Sequence, residues 1–172
     1  MKKSLLLIVM SVCAPLSVNA ASSGNYSTYF GMSYDHSHVN LNHYGENMDG
    51  LHAQAGTDME NFGIKGSATS LSKHGEELDN YSFAVDKKFA LLDQKAYIAP
   101  EAGVNYARYN SDLLKVTDFG PEAGINLGYN INKNFAIETS YRHSFGLTNN
   151  DINIDQDSVN LGLNYRFDYF LI

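Results

Sequence analysis

The chain has 172 residues, with 12 basic residues against 19 acidic, one cysteine, 44% hydrophobic and 18% charged residues. A surface this acidic is a poor partner for nucleic acid. A lone cysteine excludes an internal disulfide and any multi-cysteine zinc site.

The first predicted element is a leader. Met1, Lys2 and Lys3 form a basic start, residues 5–12 a short apolar core, and Val18, Asn19 and Ala20 a small-residue cleavage site ahead of Ala21. This is the layout of a secretory signal peptide, too short to span a bilayer as a helix. Residues 1–20 are therefore expected to be removed and residues 21–172 to form one domain, without thiols because Cys13 leaves with the leader. Without Lys2 and Lys3, ten basic residues face nineteen acidic ones, a net charge of −9. No later apolar run is long enough for a spanning helix, so an exported chain of this kind can cross a membrane only as a closed barrel.

Segments with a period of two follow one another through the rest of the chain. Residues 26–34 set Tyr26, Thr28, Phe30, Met32 and Tyr34 on one face and Ser27, Tyr29, Gly31 and Ser33 on the other. Residues 48–56 are weaker, carrying Leu51, Ala53 and Ala55; segments 62–71, 81–89 and 96–109 come next. Segment 119–131 turns Ala123, Ile125, Leu127, Tyr129 and Ile131 outward, and segment 135–145 does so with Ile137 and Tyr141. The last, 158–167, alternates without error: Val159, Leu161, Leu163, Tyr165 and Phe167 against Ser158, Asn160, Gly162, Asn164 and Arg166. Eight such segments predict an all-β fold, an eight-stranded antiparallel up-and-down transmembrane β-barrel.

Connections of alternating length agree with that reading. Stretches 35–46, 72–80, 110–118 and 146–157 are predicted as long polar loops, and 57–61 and 132–134 as tight turns. Stretch 87–95 is too long for a periplasmic turn, which predicts that the fourth and fifth strands extend into it. Tyr26, Tyr34, Tyr106, Tyr109, Tyr129, Phe135, Tyr165 and Phe167 stand near strand ends, as aromatic girdles require.

Residues 100–105 (PEAGVN) return almost unchanged as residues 121–126 (PEAGIN). Proline lacks a ladder donor, so Pro100 and Pro121 are expected at strand starts or bulges. The face opposite the apolar one collects Lys65, Glu101, Glu122, Glu138, Arg142 and Arg166, charges that a narrow lumen must pair. With Asn130 set opposite Asn134, Glu122 falls opposite Arg142, which predicts a bridge between them and a second between Glu138 and Arg166.

Chemical motifs are sparse. His36, His38 and His43 share the first predicted loop, but loop histidines are usually solvated, and no metal site is assigned. Asp151, Asn153, Asp155 and Asp157 begin a calcium-loop spacing that breaks at Gln156 and Gly162. An acidic outer loop of this kind suits divalent ions bound to lipopolysaccharide better than an EF-hand. His143 and Ser144 invite an esterase reading, but neighbours in a strand point to opposite faces and cannot serve each other. No catalytic residue and no cofactor are expected.

Residues 132–138, Tyr141, Arg142 and residues 159–167 resemble the OmpX/Ail family and the wider OmpA-like transmembrane barrels. The resemblance implies a side-chain-filled polar lumen and surface loops that in some members mediate adhesion or serum resistance. Members end on the aromatic of their last strand, which the barrel-assembly machinery reads, whereas here residues 168–172 follow Phe167. The expectation is a monomeric, non-enzymatic barrel of the bacterial outer membrane. Its expected partners are outer-membrane lipid, lipopolysaccharide, the assembly machinery and a surface ligand held by loops. The alternatives are a lipid A-modifying enzyme and a low-conductance channel.

Overall fold

The structure, a computed structural model, describes residues 27–41, 44–59, 62–112, 114–146 and 154–167. The leader, Tyr26, His43, Asp151, Asn153 and residues 168–172 lie outside the described residues. Among the described residues nine strands follow one another: β1 Ser27–Leu41, β2 Tyr44–Asp58, β3 Gly63–Lys73, β4 Glu76–Asp86, β5 Phe89–Leu91, β6 Ala96–Asn110, β7 Lys115–Asn130, β8 Phe135–Ser144 and β9 Ile154–Phe167. Apart from β4 and β5, sequence neighbours pair antiparallel, β1 pairs with β9, and β4 joins β6, so among the described residues the sheet closes on itself. The short β5 continues β4 along the same partner β6, as Asp86↔Glu101 and Phe89↔Ile98 share one register. The barrel is therefore eight-stranded; the fourth strand extends into 87–95 as its length suggested, whereas the fifth starts only at Ala96, after the turn at 92–95.

The register fixes the barrel's dimensions. A path across paired residues from His38 runs through Asp157, His143, Ala123, Ala102, Val85, Ile64 and Thr57 and returns to β1 at Thr28, ten residues below its start. A shear of ten on eight strands tilts them by roughly 40° and leaves an interior that side chains can fill.

Prolines explain where the ladder breaks. Pro100 and Pro121 lie inside β6 and β7, exposed on the outer wall, rather than at strand starts or bulges. The Pro100 carbonyl accepts from Lys87 N at 3.1 Å, but Pro100 has no N–H to return, and β4 stops at Asp86. The Pro121 carbonyl accepts from Phe145 N at 2.9 Å, and β8 likewise stops at Ser144. In both places the missing donor costs one rung at the limit of the partner strand.

Two expectations about connections fail at the barrel end opposite Ser27 and Phe167, here called the far end. Residues 35–41 and 44–46 are strand, not loop, and β3 turns into β4 through only His74 and Gly75. Gly75 takes φ +93°, the left-handed geometry that glycine suits. The remaining long connections shorten to 111–114 and, in sequence, 145–153. The alternation in these stretches is real but out of phase with the membrane belt: Val39, Met48, Leu71 and Leu78 point inward where the belt residues of the same strands point outward.

Candidate functional site

The lumen is lined by every second residue of each strand. At the end shared by Ser27 and Phe167, Lys88 Nζ donates to both Asp58 oxygens at 2.6 Å and lies over the rings of Tyr29 (4.8 Å) and Tyr97 (5.1 Å). Arg166 donates to Asn130 Oδ1 at 2.9 Å and covers Tyr97 from another side. Tyr97 itself lies against Gly128, where a Cβ would collide with its ring. Its hydroxyl donates to Glu138 at 2.5 Å, and Gln54 Nε2 donates to the other Glu138 oxygen at 2.8 Å.

One level higher, Lys65 and Glu101 form a buried ion pair, with Asn126 donating to Glu101 at 2.7 Å. Above it Arg142 Nη2 stands 3.4 Å from Asp35 and 3.0 Å from His52 Nδ1. Ser37 donates to Asp35 at 2.5 Å, and Gln156 links Ser37, Ser158 and Asn80. The space left beside Asn105, Glu122 and Ser144 has room for about one water.

Both predicted bridges are overturned. Glu122 pairs in register with Ser144, whose hydroxyl donates to it at 3.0 Å, and Arg142 lies opposite Gly124. The cause is the β7–β8 turn. Asn132 Oδ1 accepts from the backbone N–H of both Asn134 and Phe135 at 2.9 Å, so Asn130 pairs with Ala136 instead of Asn134. The register moves by two, which keeps every side chain on its face but changes every neighbour. Gly124 then leaves room for Arg142, since a Cβ there would meet the arginine Cγ at 2.7 Å. Glu138 and Arg166 do not bridge either, because Glu138 faces Gly162 and each spends its polar atoms elsewhere around Tyr97.

Asp35, His52, Asp58, Asp86 and Lys88 also line the lumen and were missed by sequence reasoning. Asp35, Asp58 and Lys88 fell in stretches read as connections, although Asp35 lies on the same face of β1 as Tyr29, Gly31 and Ser33.

Above the polar network the lumen changes character. Val39, Met48, Leu71, Leu78, Ala107, Tyr109 and Ile154 form a buried apolar cap, with Leu41, Leu114 and Val116 packed against it. Met48, Leu71 and Leu78 are 0% exposed.

On the outer wall the closing strand exposes Val159, Leu161, Leu163, Tyr165 and Phe167, continuous with Met32, Phe83, Leu127 and Ile137. Toward the far end two similar clusters end this belt. Tyr34 Oη donates to Asp49 Oδ1 at 2.8 Å, and His36 Nδ1 is 2.7 Å from the same oxygen. Tyr141 Oη donates to Asp157 Oδ1 at 2.6 Å, and His143 Nδ1 is 2.8 Å from it. His36 and His38 share a face, but His38 bonds Asn47 instead of joining His36 on a common ion. Among the described residues no three metal-ligating groups come together. His143 and Ser144 point to opposite sides of the wall, one to Asp157 and the other to Glu122.

Residues 4–167 match the outer membrane protein beta-barrel domain. The chain belongs to this outer-membrane barrel family. Solved structures with the same fold include Ail, the attachment invasion locus protein of Yersinia pestis, in complex with the heparin analogue sucrose octasulfate. That likeness has 18% identity and a TM-score of 0.60, covering 83% of this chain and 99% of Ail. Neisserial surface protein A is similar at 14% identity and a TM-score of 0.64, over 81% and 97% of the two chains. The N-terminal barrel of Pseudomonas aeruginosa OprF is similar at 15% and 0.58, over 80% and 97%. No curated protein matches by sequence. Membership of the family places the protein in the bacterial outer membrane, and the exposed apolar belt is the surface that contacts lipid there.

Proposed function

We propose that this member of the outer-membrane barrel family is a non-enzymatic monomer that acts through its outer wall and far-end hairpins, as a structural element and a surface-binding, adhesion-type protein. The observation that carries the reading is the filled interior: among the described residues a bonded polar network within the belt and an apolar cap above it occupy the lumen, with room for about one water beside Glu122. Function then falls to the surfaces. In the family's orientation, with short turns on the periplasmic side, the far end faces outward from the cell, and the hairpins β1–β2, β3–β4 and β6–β7 form a crown there. Export rests on cleavage of the leader after Ala20, and insertion on recognition of the last strand by the barrel-assembly machinery. Outer-membrane lipid and lipopolysaccharide surround the belt.

Ail was solved with a sulfated sugar, but that ligand class does not carry over. The outward polar residues of this crown include Asp49, Glu77, Asp79, Asp155 and Asp157 against Arg108 and Lys115. An acidic crown suits a neutral or cationic surface better than a polyanion.

An enzyme reading would draw on His143 and Asp157, which have the arrangement of a base and its orienter. Among the described residues the outer faces of β7, β8 and β9 carry no serine or cysteine beside them. Cells with and without the protein provide the test. We expect heat-modifiable migration of the barrel from unboiled outer membranes, unchanged lipid A by mass spectrometry, and a gain in attachment to immobilised matrix proteins. The gain is expected to vanish when the crown turns are exchanged for neutral ones. A lost acyl chain on lipid A would overturn the non-enzymatic reading, and equal attachment of both strains would overturn the adhesive one.

A further inference from the structure

The belt is not equally tall around the barrel. Ten residues of shear spread over eight strands mean that a rung descends by about 1.25 residues at each step from β1 through β9, β8, β7 and β6. The rung Val159, Tyr141, Ile125, Pro100 therefore ends nearly four residues below its start, which puts Val159 level with Val104. By the same correction Asp157 is level with Pro121, and Phe119 stands above both. On β6 and β7 the outward residues stay apolar through Val104, Tyr106, Pro121 and Phe119. On β2, β1 and β9 the apolar series gives way lower, at Leu51, Tyr34 and Val159, and the next outward residues are Asp49, His36 and Asp157. On β8 His143 likewise follows Tyr141, but beyond the strand's end Phe145, 45% exposed, packs edge-on against His143. The boundary drops by about three residues, roughly 8 Å along the barrel axis.

The two Tyr–Asp–His clusters are built for that boundary. In each, tyrosine and histidine are two apart on one strand and both use one oxygen of an aspartate on the next strand, Asp49 Oδ1 or Asp157 Oδ1. The second carboxylate oxygen and the imidazole Nε2 have no bond to the protein among these contacts. Their side chains are about half exposed at His36 (55%) and Asp49 (50%), and partly exposed at His143 (30%) and Asp157 (44%). Ionised groups at this height are costly in hydrocarbon and ordinary among hydrated headgroups.

We propose that the far-end leaflet is thinned along β2–β1–β9, where lipid headgroups and their water come down onto the two Tyr–Asp–His clusters, while hydrocarbon covers the same height on β6–β7. This rests on the membrane-spanning reading of the belt and adds a sidedness to it. A shorter apolar face draws the bilayer down at a modest cost per ångström of mismatch. The lipid headgroup is the occupant because it is the polar layer that borders the hydrocarbon of any bilayer and so is what a shorter apolar face brings down.

The test compares two valines at one height. With the leader removed the chain has no cysteine, so Val159→Cys and Val104→Cys can each carry a single nitroxide in the full barrel, reconstituted in dimyristoylphosphatidylcholine vesicles. We expect the label at 159 to be several-fold more accessible to a water-soluble nickel chelate, relative to oxygen, than the label at 104. Adding Asp49→Leu and Asp157→Leu should move label 159 toward the value at 104 and leave label 104 unchanged. Heat-modifiable migration identifies folded samples of each variant, and His36→Leu with His143→Leu replaces the aspartate pair if that pair does not fold. Equal accessibility at 159 and 104, or a label at 159 that ignores the loss of the clusters, would overturn the inference. Two labels both as accessible as one on Lys115→Cys in the crown would instead mean that the belt is not in the bilayer.

Discussion

The polar lumen and the apolar cap close the same tube by opposite means. Below, Lys65, Glu101, Glu138, Arg142 and Asp35 fill the interior while hydrocarbon-facing Met32, Leu127 and Leu161 cover the exterior. Above, Val39, Met48, Leu71 and Leu78 fill the interior while His36, Asp49 and Asp79 face out. The faces exchange chemistry within single strands: β1 runs Met32 and Tyr34 outward, then Val39 inward. Within the membrane the barrel is inside-out relative to a soluble protein, and beyond it the same strands build an ordinary apolar core. Solvent sets the pattern, and the strand obeys whichever solvent surrounds it.

The comparison implies that the lower lumen is the more fragile half, because a broken ion pair leaves a charge stranded. Glu101→Ala should cost about 3 to 5 kcal/mol in urea unfolding of the vesicle-bound barrel. Lys65→Met combined with Glu101→Gln should recover most of it, and a double variant no better than Glu101→Ala would place the stabilisation elsewhere. In the cap, Leu71→Ala should cost about 2 to 5 kcal/mol by leaving a cavity, with no conductance in planar bilayers. Nanosiemens conductance from the unmodified barrel would overturn the closed interior altogether. A smaller loss, about 1 to 3 kcal/mol, is expected for Tyr97→Phe, which removes the donor to one buried Glu138 oxygen. A shift in the midpoint no larger than experimental error would mean that water replaces the hydroxyl. The Lys73–Glu46 pair at 3.1 Å, partly exposed at the rim of the crown, should matter least. Lys73→Ala is expected to change stability by less than about 1 kcal/mol, and raising salt should erase even that.

How much of this was legible in the sequence follows from the same exchange of faces. Strand number, closure, the lipid face of residues 158–167 and the lumen side of the six charges come from strict alternation, which a fixed solvent imposes. The crown was misread as loops because a constant apolar phase was demanded across 35–46 and 72–80, whereas Val39, Leu71 and Leu78 mark a reversed phase. The bridges were misread for a different reason. Register depends on how Asn132 spends one oxygen on two backbone donors, and a slip of two leaves the hydrophobic pattern untouched. Cross-lumen partners such as Arg142 and Asp35 are set by barrel closure, which no local spacing records.

The ladder lost beside Pro121 also sets the order in which the wall would part under load. Nine residue pairs join β7 to β8, from Glu122↔Ser144 to Asn130↔Ala136, whereas fourteen join β1 to β9, the first and last strands. A barrel pulled apart sideways would part within its short ladders, β7–β8 and the ten-pair β2–β3 and β8–β9, each a covalently continuous hairpin, and the junction of its first and last strands is one of its stronger welds.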